Sequence, residues 1–233
     1  MKFSTPLVRA TLIRRYKRFL ADCVLEDGTE VVAHCANTGA MTGLKAEGQT
    51  VWLEPNDDPK RKLNYSWKLC EFPDGNFVGI DTSLPNRLIG AALKAQQIPE
   101  LAHYSQIRPE AKYGKNSRID FLLSEPGHPD LYLEVKNVTL KGPDDWAEFP
   151  DTVTTRGTKH LGELADMVRQ GHRAAMLYLV QRTDCARFRI AQTLDPAYVN
   201  AYAQARATGV EILAFDTIIS PKGIELGKPL PVF

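Results

Sequence analysis

Residues 131–137 read Leu131-Tyr132-Leu133-Glu134-Val135-Lys136-Asn137, LYLEVKN. The run is apolar enough for a buried strand, yet it carries a carboxylate and an ammonium two positions apart. Side chains alternate along an extended strand, so Tyr132, Glu134 and Lys136 share one face and Leu131, Leu133 and Val135 the other. The preceding segment, SRIDFLL, alternates in the same way and sets Asp120 on a face with Arg118 and Leu122. A tight hairpin between the two segments brings Asp120 and Glu134 together. Two carboxylates converging in a partly dry site repel, and a divalent cation relieves that repulsion. A hard ion of the Mg²⁺ or Mn²⁺ kind takes oxygen ligands, retains waters and needs only one or two carboxylates beside a substrate phosphate. Lys136 then stands where its charge favours a phosphodiester-cleaving reaction. Taken alone, acid-x-Lys is a commonplace pattern that usually marks a solvated strand face, so the surrounding order of elements has to carry the reading.

Upstream, residues 7–72 show period-two apolar patterning in short segments, with candidate strands at 7–14, 18–26, 29–35, 49–54 and 64–71. Asp27-Gly28 marks a hairpin turn. Five short strands with a polar excursion at Asn37–Gly43 predict a small β-barrel of the OB type. A turn cluster at Pro73, Asp74, Gly75 and Asn76 then changes the pattern, which divides the chain into 1–81 and 82–233. The second part begins with a helix at about 84–97 capped by Ser83. Strands follow at roughly 104–112, 118–123 and 131–138, then a loop at 141–151 and a helix at about 155–170 with Leu161, Leu164, Ala165 and Val168 as its stripe. AAMLYLV, residues 174–180, reads as a central strand covered on both faces. A helix near 195–207 and a strand at 210–215 close the domain. The order α-β-β-β-α-β-α-β makes it an α/β domain with a mixed sheet.

Composition is that of an ordinary globular chain of 233 residues, 43% hydrophobic and 24% charged. No stretch of about 18 apolar residues is present, and the N-terminus lacks a secretory h-region, so a cytoplasmic protein with no membrane segment is expected. Cys23, Cys35, Cys70 and Cys185 show no C-x-x-C spacing, which argues against a zinc ribbon or a redox motif. Net charge is only +1, but the first 20 residues hold Lys2, Arg9, Arg14, Arg15, Lys17 and Arg18 and no acid. RRYKRF mixes Arg14, Arg15, Lys17 and Arg18 with Tyr16 and Phe19, and PKRKLNYSW supplies Lys60, Arg61 and Lys62 in a loop. Cations with aromatics suit phosphate tracking and base stacking, so DNA, double- or single-stranded and weakly selective, is the expected partner. On a strand, Arg14, Tyr16 and Arg18 would face one way and Arg15, Lys17 and Phe19 the other. Tyr65 and Trp67 read as barrel filling.

The order α-β-β-β-α-β, with Asp on the second strand and Glu-x-Lys on the third, resembles the PD-(D/E)xK nuclease core. RRYKRFLAD, AHCANTGAMTGL, KRKLNYSW, GKNSRIDFLL, EVKNVTL, FPDTVTTRGTKHLGEL, GHRAAMLYLVQR and the terminal PLPVF together resemble the bacterial and archaeal sugar fermentation stimulation protein A family over nearly the whole chain. That resemblance implies an OB-fold joined to a nuclease-like domain, DNA binding and a part in regulating maltose metabolism. It puts Asp120, Glu134 and Lys136 on the two acid positions and the lysine position of a nuclease site. The motif proline is replaced by Ile119, and the helix 84–97 carries Gly90 and Ala91 where such sites often add an acid, leaving Glu110 as a candidate third oxygen. On the later helix Arg156, His160 and Glu163 lie along one edge, with Arg156 in the first turn where free amides favour phosphate. His160 is either packed against the core stripe or joins the site, with Arg156 contacting phosphate. NTGAMTGLK lacks the GK[ST] ending of a P-loop, and its role has no physical account from sequence.

Overall fold

The computed structural model describes residues 1–114 and 117–233, so Lys115 and Asn116 of the GKNSRIDFLL motif lie outside the described residues. The first part holds β1 (Val8–Tyr16), β2 (Leu20–Leu25), β3 (Glu30–Cys35), β4 (Thr50–Pro55), β5 (Tyr65–Glu71) and β6 (Phe77–Gly79). They pair in the order β3-β2-β1-β4-β5-β6, and a parallel β3–β5 ladder closes five strands into an OB barrel. Alternation does what the sequence predicts: Ala10, Leu12, Ala21, Cys23, Val51 and Leu53 point inward, and Trp67 fills the centre with its indole N–H donating to Leu69 O at 2.9 Å. Each such large apolar side chain contributes roughly 1.5–3 kcal/mol by leaving water. Gly28 turns the β2–β3 hairpin at φ 86°, which a residue without a Cβ adopts freely. Burial pushes the Cys23 thiol up to about 12, and Cys70 up as well, so these are inert small fillers.

Two local expectations are corrected here. The β1–β2 connection is a turn with Lys17 and Arg18 at φ 47° and 64°, so β2 starts at Leu20 and the strand alternation stops at Tyr16. Ser83 does not cap the next helix. Its hydroxyl donates to Asp81 Oδ1 at 2.6 Å, and Pro85 sits in the first turn, so the upstream carboxylate and the proline define the start.

The second part contains α1 (Leu84–Lys94), β7 (Gln106–Tyr113), β8 (Ser117–Ser124), β9 (Leu131–Val138), β10 (Leu140–Lys141), β11 (Trp146–Phe149), α2 (Thr155–Arg169), β12 (Arg173–Val180), β13 (Arg187–Ile190), α3 (Pro196–Thr208), β14 (Glu211–Ser220) and β15 (Gly223–Pro229). The main sheet runs β15-β14-β12-β9-β8-β7, with β9, β12 and β14 parallel and β7-β8-β9 an antiparallel meander. It is a mixed-sheet α/β domain in which the expected elements follow in order but β10, β11, β13 and β15 are added, so that β15 and not the strand expected at 210–215 closes the domain. Every residue of β12 from Ala174 to Val180 is buried, because α1 covers one face of the sheet and α2 with α3 cover the other. Thr154 accepts from Gly157 N, and Asp195 accepts from both Tyr198 N and Thr154 N, so one carboxylate caps α3 and anchors the entry to α2.

The segment 141–151, expected as loop, contains β11, which pairs in parallel with β13 in a small sheet β10-β11-β13. Its partner is some 40 residues away, so no local pattern announces it. Leu7 and Leu69 of the barrel pack into the same cluster as α1, Gly79 N donates to Gln181 O at 3.0 Å, and the Arg182 guanidinium lies over the Phe72 ring. These contacts seat the barrel on the carboxyl ends of β9 and β12. Among the described residues no helix is long and apolar enough to cross a membrane.

Candidate active site and nucleic-acid face

β8 and β9 pair through Leu123↔Leu131, Leu122↔Tyr132 and Phe121↔Leu133, and the ladder stops there. One step further the Asp120 carboxylate replaces it: Oδ2 accepts from Val135 N at 2.7 Å and Oδ1 from Asn86 Nδ2 at 2.6 Å. Asp120 and Glu134 therefore share one face, as the alternation requires. Glu134 is 3% exposed, and its Oε1 accepts from Lys136 Nζ at 2.7 Å and from His160 Nδ1. Arg156 Nε donates to His160 Nε2 at 3.4 Å, and Lys136 Nζ lies 3.3 Å from His160 Nδ1. α2 thus delivers His160 and Arg156 to the strand that carries Glu134 and Lys136, joining four of the expected side chains in one chain of hydrogen bonds with Asp120 alongside.

Electrostatics separate the two acids. Burial, and then the Glu134 charge, push the Asp120 carboxyl up to about 6 in spite of its two hydrogen bonds. Burial pushes on Glu134 in the same direction, but the His160 hydrogen bond and the Lys136 charge outweigh it and hold Glu134 below the usual carboxylate range. Glu134 Oε2 is buried and has no hydrogen-bond partner. A buried carboxylate oxygen without a donor is costly, and a cation between it and Asp120 would satisfy both. The donor set fits a hard divalent ion that completes its shell with water and substrate oxygens.

Among the described residues no group of three or more His, Cys, Asp and Glu side chains is arranged to hold a metal. Glu110 supplies no third oxygen: it lies between the pairs Pro109↔Phe121 and Ala111↔Ile119, exposed, at φ 52°. The helix position that faces Asp120 is Asn86, an amide that sequence reading missed because only α1 packing on β9 brings it near. Glu163, one turn past His160, accepts from Ser117 Oγ at 2.8 Å and keeps a second buried oxygen unpartnered. Burial, and then the charges of Glu134, Glu163 and Asp120, raise the Tyr113 hydroxyl well above its ordinary value.

The basic clusters fall in two connections of the barrel, the β1–β2 turn and the β4–β5 loop, which flank strands 2 and 3. In OB folds those loops and that strand pair form the oligonucleotide face. Lys17, Arg18, Lys60, Arg61 and Lys62 are exposed and, among the described residues, make no ion pair. Phe19 is 49% exposed beside them. Arg14 and Arg15 are engaged differently: Arg14 Nε pairs with Asp22 at 2.8 Å, and Arg15 donates to Arg18 O at 2.9 Å and Asn37 O at 2.7 Å. Those two arginines hold the turn and the Asn37 segment in place.

An OB barrel joined to a mixed α/β sheet, with an acid pair and a lysine on that sheet and a histidine closing on them from α2, defines a class of two-module proteins. The model of the "Sugar fermentation stimulation protein RE domain" matches residues 83–223, and that of the "SfsA N-terminal OB domain" matches residues 13–80. Sugar fermentation stimulation protein homologs from Dinoroseobacter shibae and Jannaschia sp. are each 64% identical over 233 residues, all of this chain and 96% and 97% of theirs. The solved structure of Pyrococcus furiosus SfsA in complex with Ca²⁺ matches with a TM-score of 0.89 at 26% identity, covering 100% of this chain and 98% of that one. The chain belongs to the sugar fermentation stimulation protein family.

Proposed function

We propose that this protein is a cytoplasmic DNA-binding, divalent-metal-dependent nuclease, in which residues 1–81 hold the nucleic acid and residues 82–233 cleave it. The observation that carries this reading is the buried, unpartnered Glu134 Oε2 beside Asp120. A Ca²⁺ complex of the Pyrococcus furiosus relative supports a divalent ion here as well. Asp120 and Glu134 would hold Mg²⁺ or Mn²⁺, which when bound supplies Lewis acidity and charge neutralisation at a phosphodiester. His160 fixes the Glu134 carboxylate, keeping one oxygen aimed into the site. Lys136 places a cation where negative charge grows on the phosphorus oxygens, and Arg156, in the first turn of α2, adds a donor to a non-bridging oxygen. The free cations of the β1–β2 and β4–β5 loops supply sequence-independent affinity. Four buried, unpaired cysteines accord with a reducing compartment.

A second reading, DNA binding without cleavage in the regulation of sugar metabolism, is favoured by one observation. Lys136 and His160 already saturate Glu134 Oε1, and no third acid among the described residues completes the site. Incubation with plasmid, single-stranded and branched DNA plus Mg²⁺ or Mn²⁺ separates the two. Cleavage that Lys136→Ala abolishes establishes the nuclease; retention in the variant marks a contaminant, and intact DNA in every reaction leaves the binding protein.

A further inference from the structure

The polar turn after β3 acquires a role from its tertiary setting. Asn37 and Gly39 of the barrel and Asn137, Glu148 and Asp151 of the second domain line a cavity of about 280 Å³, with Leu140 and Phe149 as apolar surfaces and Glu148 paired to Arg189. No lysine or arginine lines it, so it does not suit a phosphate. A Cβ at Gly39 would lie 3.0 Å from Asn37 Oδ1 and 3.4 Å from Asp151 Oδ2. Two acceptor oxygens therefore converge on the space that glycine leaves open. Asp151 has no hydrogen-bond or ion-pair partner among the described residues, while Asn37 Oδ1 has accepted only from Gly39 N at 2.8 Å. Asn137 Oδ1 is taken by Gln181 Nε2 at 2.6 Å, which leaves the Asn137 amide nitrogen as a donor. A planar group with an –NH₂ for the two acceptors, an acceptor atom for Asn137 and an apolar face for Phe149 matches these walls: the edge of a nucleobase.

The cavity also lies in the right place. Asn137, next after Lys136 on β9, points to the other face of the sheet at its carboxyl end, and Phe149 packs on Tyr178, the register partner of Lys136 on β12, so the cavity borders both faces there. From Asp151 the chain runs directly into the first turn of α2, which carries Arg156. Its volume of about 280 Å³ falls just below the usual range of small-molecule sites, about 300 Å³ and upward, so it admits one nucleoside and not a base pair. The Arg15 guanidinium, bonded to Asn37 O, ties this wall to the β1–β2 turn of the DNA face.

We propose that this cavity takes the unpaired base and sugar of the nucleotide flanking the phosphate at Asp120 and Glu134, and that it selects bases bearing an exocyclic amino group. The inference rests on the nuclease reading above and adds to it a substrate: single-stranded nucleic acid or an extruded nucleotide, since a stacked and paired base presents no free edge. Fluorescence anisotropy of the full-length protein in EDTA, with labelled oligo-dC, oligo-dA and oligo-dT, tests it apart from any chemistry. Oligo-dC and oligo-dA are expected to bind about tenfold tighter than oligo-dT, the discrimination of one good base contact. Asp151→Ala, and Gly39→Ala which fills the space, should each erase that difference, with an unchanged Tm showing that the variant is folded. An oligonucleotide carrying 2-aminopurine should brighten on binding wild type and not on binding either variant. Equal affinity for the three oligonucleotides, or a preference that survives both variants, overturns the base cavity and leaves the nuclease standing. A preference that both variants erase, with no cleavage under any metal, overturns the nuclease and leaves the cavity. No binding of any oligonucleotide overturns both.

Discussion

The acidic hairpin and the basic barrel loops hold their charges in opposite ways. Glu134 and His160 are buried, locked by hydrogen bonds and set on strands and a helix whose positions are fixed by packing. Lys17, Arg18, Lys60, Arg61 and Lys62 are exposed and, among the described residues, unpaired on turns. Chemistry at a phosphodiester needs preorganised groups in a dry site, where each interaction is strong and geometry cannot drift. Holding a polyanion of any sequence needs only mobile positive charge, and that is best kept in water until counterions are displaced. The buried region should therefore respond to single substitutions and the exposed one only to several together.

The largest effect is expected at the rigid end. Lys136→Ala should lower metal-dependent cleavage by at least about 10²-fold, as loss of one charge-stabilising donor does, with little change in oligonucleotide affinity. Equal loss of affinity would make Lys136 part of the binding surface and erase the distinction between the two regions.

Acid–base behaviour sharpens it next. A carboxyl raised from 3.8 to about 6 in the folded state binds its proton more tightly there than in the unfolded chain. That contribution to stability is full below pH 4 and is lost as pH rises through 6, by at most about 3 kcal/mol. Metal-free protein should accordingly lose stability across that window from Asp120. Mg²⁺ or Mn²⁺ should raise Tm more at pH 7.5 than at pH 5, because only the ionised acid binds the cation. Asp120→Asn should raise the metal-free Tm by about 2–4 °C at pH 7.5, the shift expected for about 1 kcal/mol at this size, and remove the metal response. A metal response that persists in Asp120→Asn places the ion elsewhere.

The exposed end gives smaller, additive effects. Replacing Lys60, Arg61 and Lys62 together by Glu should weaken DNA binding and flatten the salt dependence by about 0.7–0.9 for each phosphate no longer neutralised. Salt titrations of affinity measure this, and an unchanged slope removes the loop from the interface. Phe19→Ala should lose about 1 kcal/mol of single-strand affinity from stacking, with Tm unchanged because the ring is 49% exposed. Arg14→Ala, already paired with Asp22 on the surface, should change affinity least of all.

Legibility followed the range of the interactions. Barrel strands, the β2–β3 hairpin, the acidic pair and the buried strand β12 all rest on alternation, turn residues or apolar runs, which are local and visible in sequence. Ser83 failed as a cap because Asp81, two residues earlier, takes its hydroxyl, and the strand alternation of RRYKRF failed because Lys17 and Arg18 turn the chain at positive φ. A positive φ at lysine or arginine has no sequence signature, because that region is populated chiefly by glycine and asparagine. The alternation of β8 and β9 determined by itself that Asp120 and Glu134 share a face, and composition with spacing determined that cations and aromatics gather in one small barrel. Only the tertiary structure decided that His160 closes on Glu134, that Asn86 stands where an acid was sought, and that the Asn37 turn meets Asp151. Those pairs are joined across 26, 34 and more than 100 residues by helix-on-sheet and barrel-on-sheet packing, and no pattern within a single element records which side chains such packing will bring together.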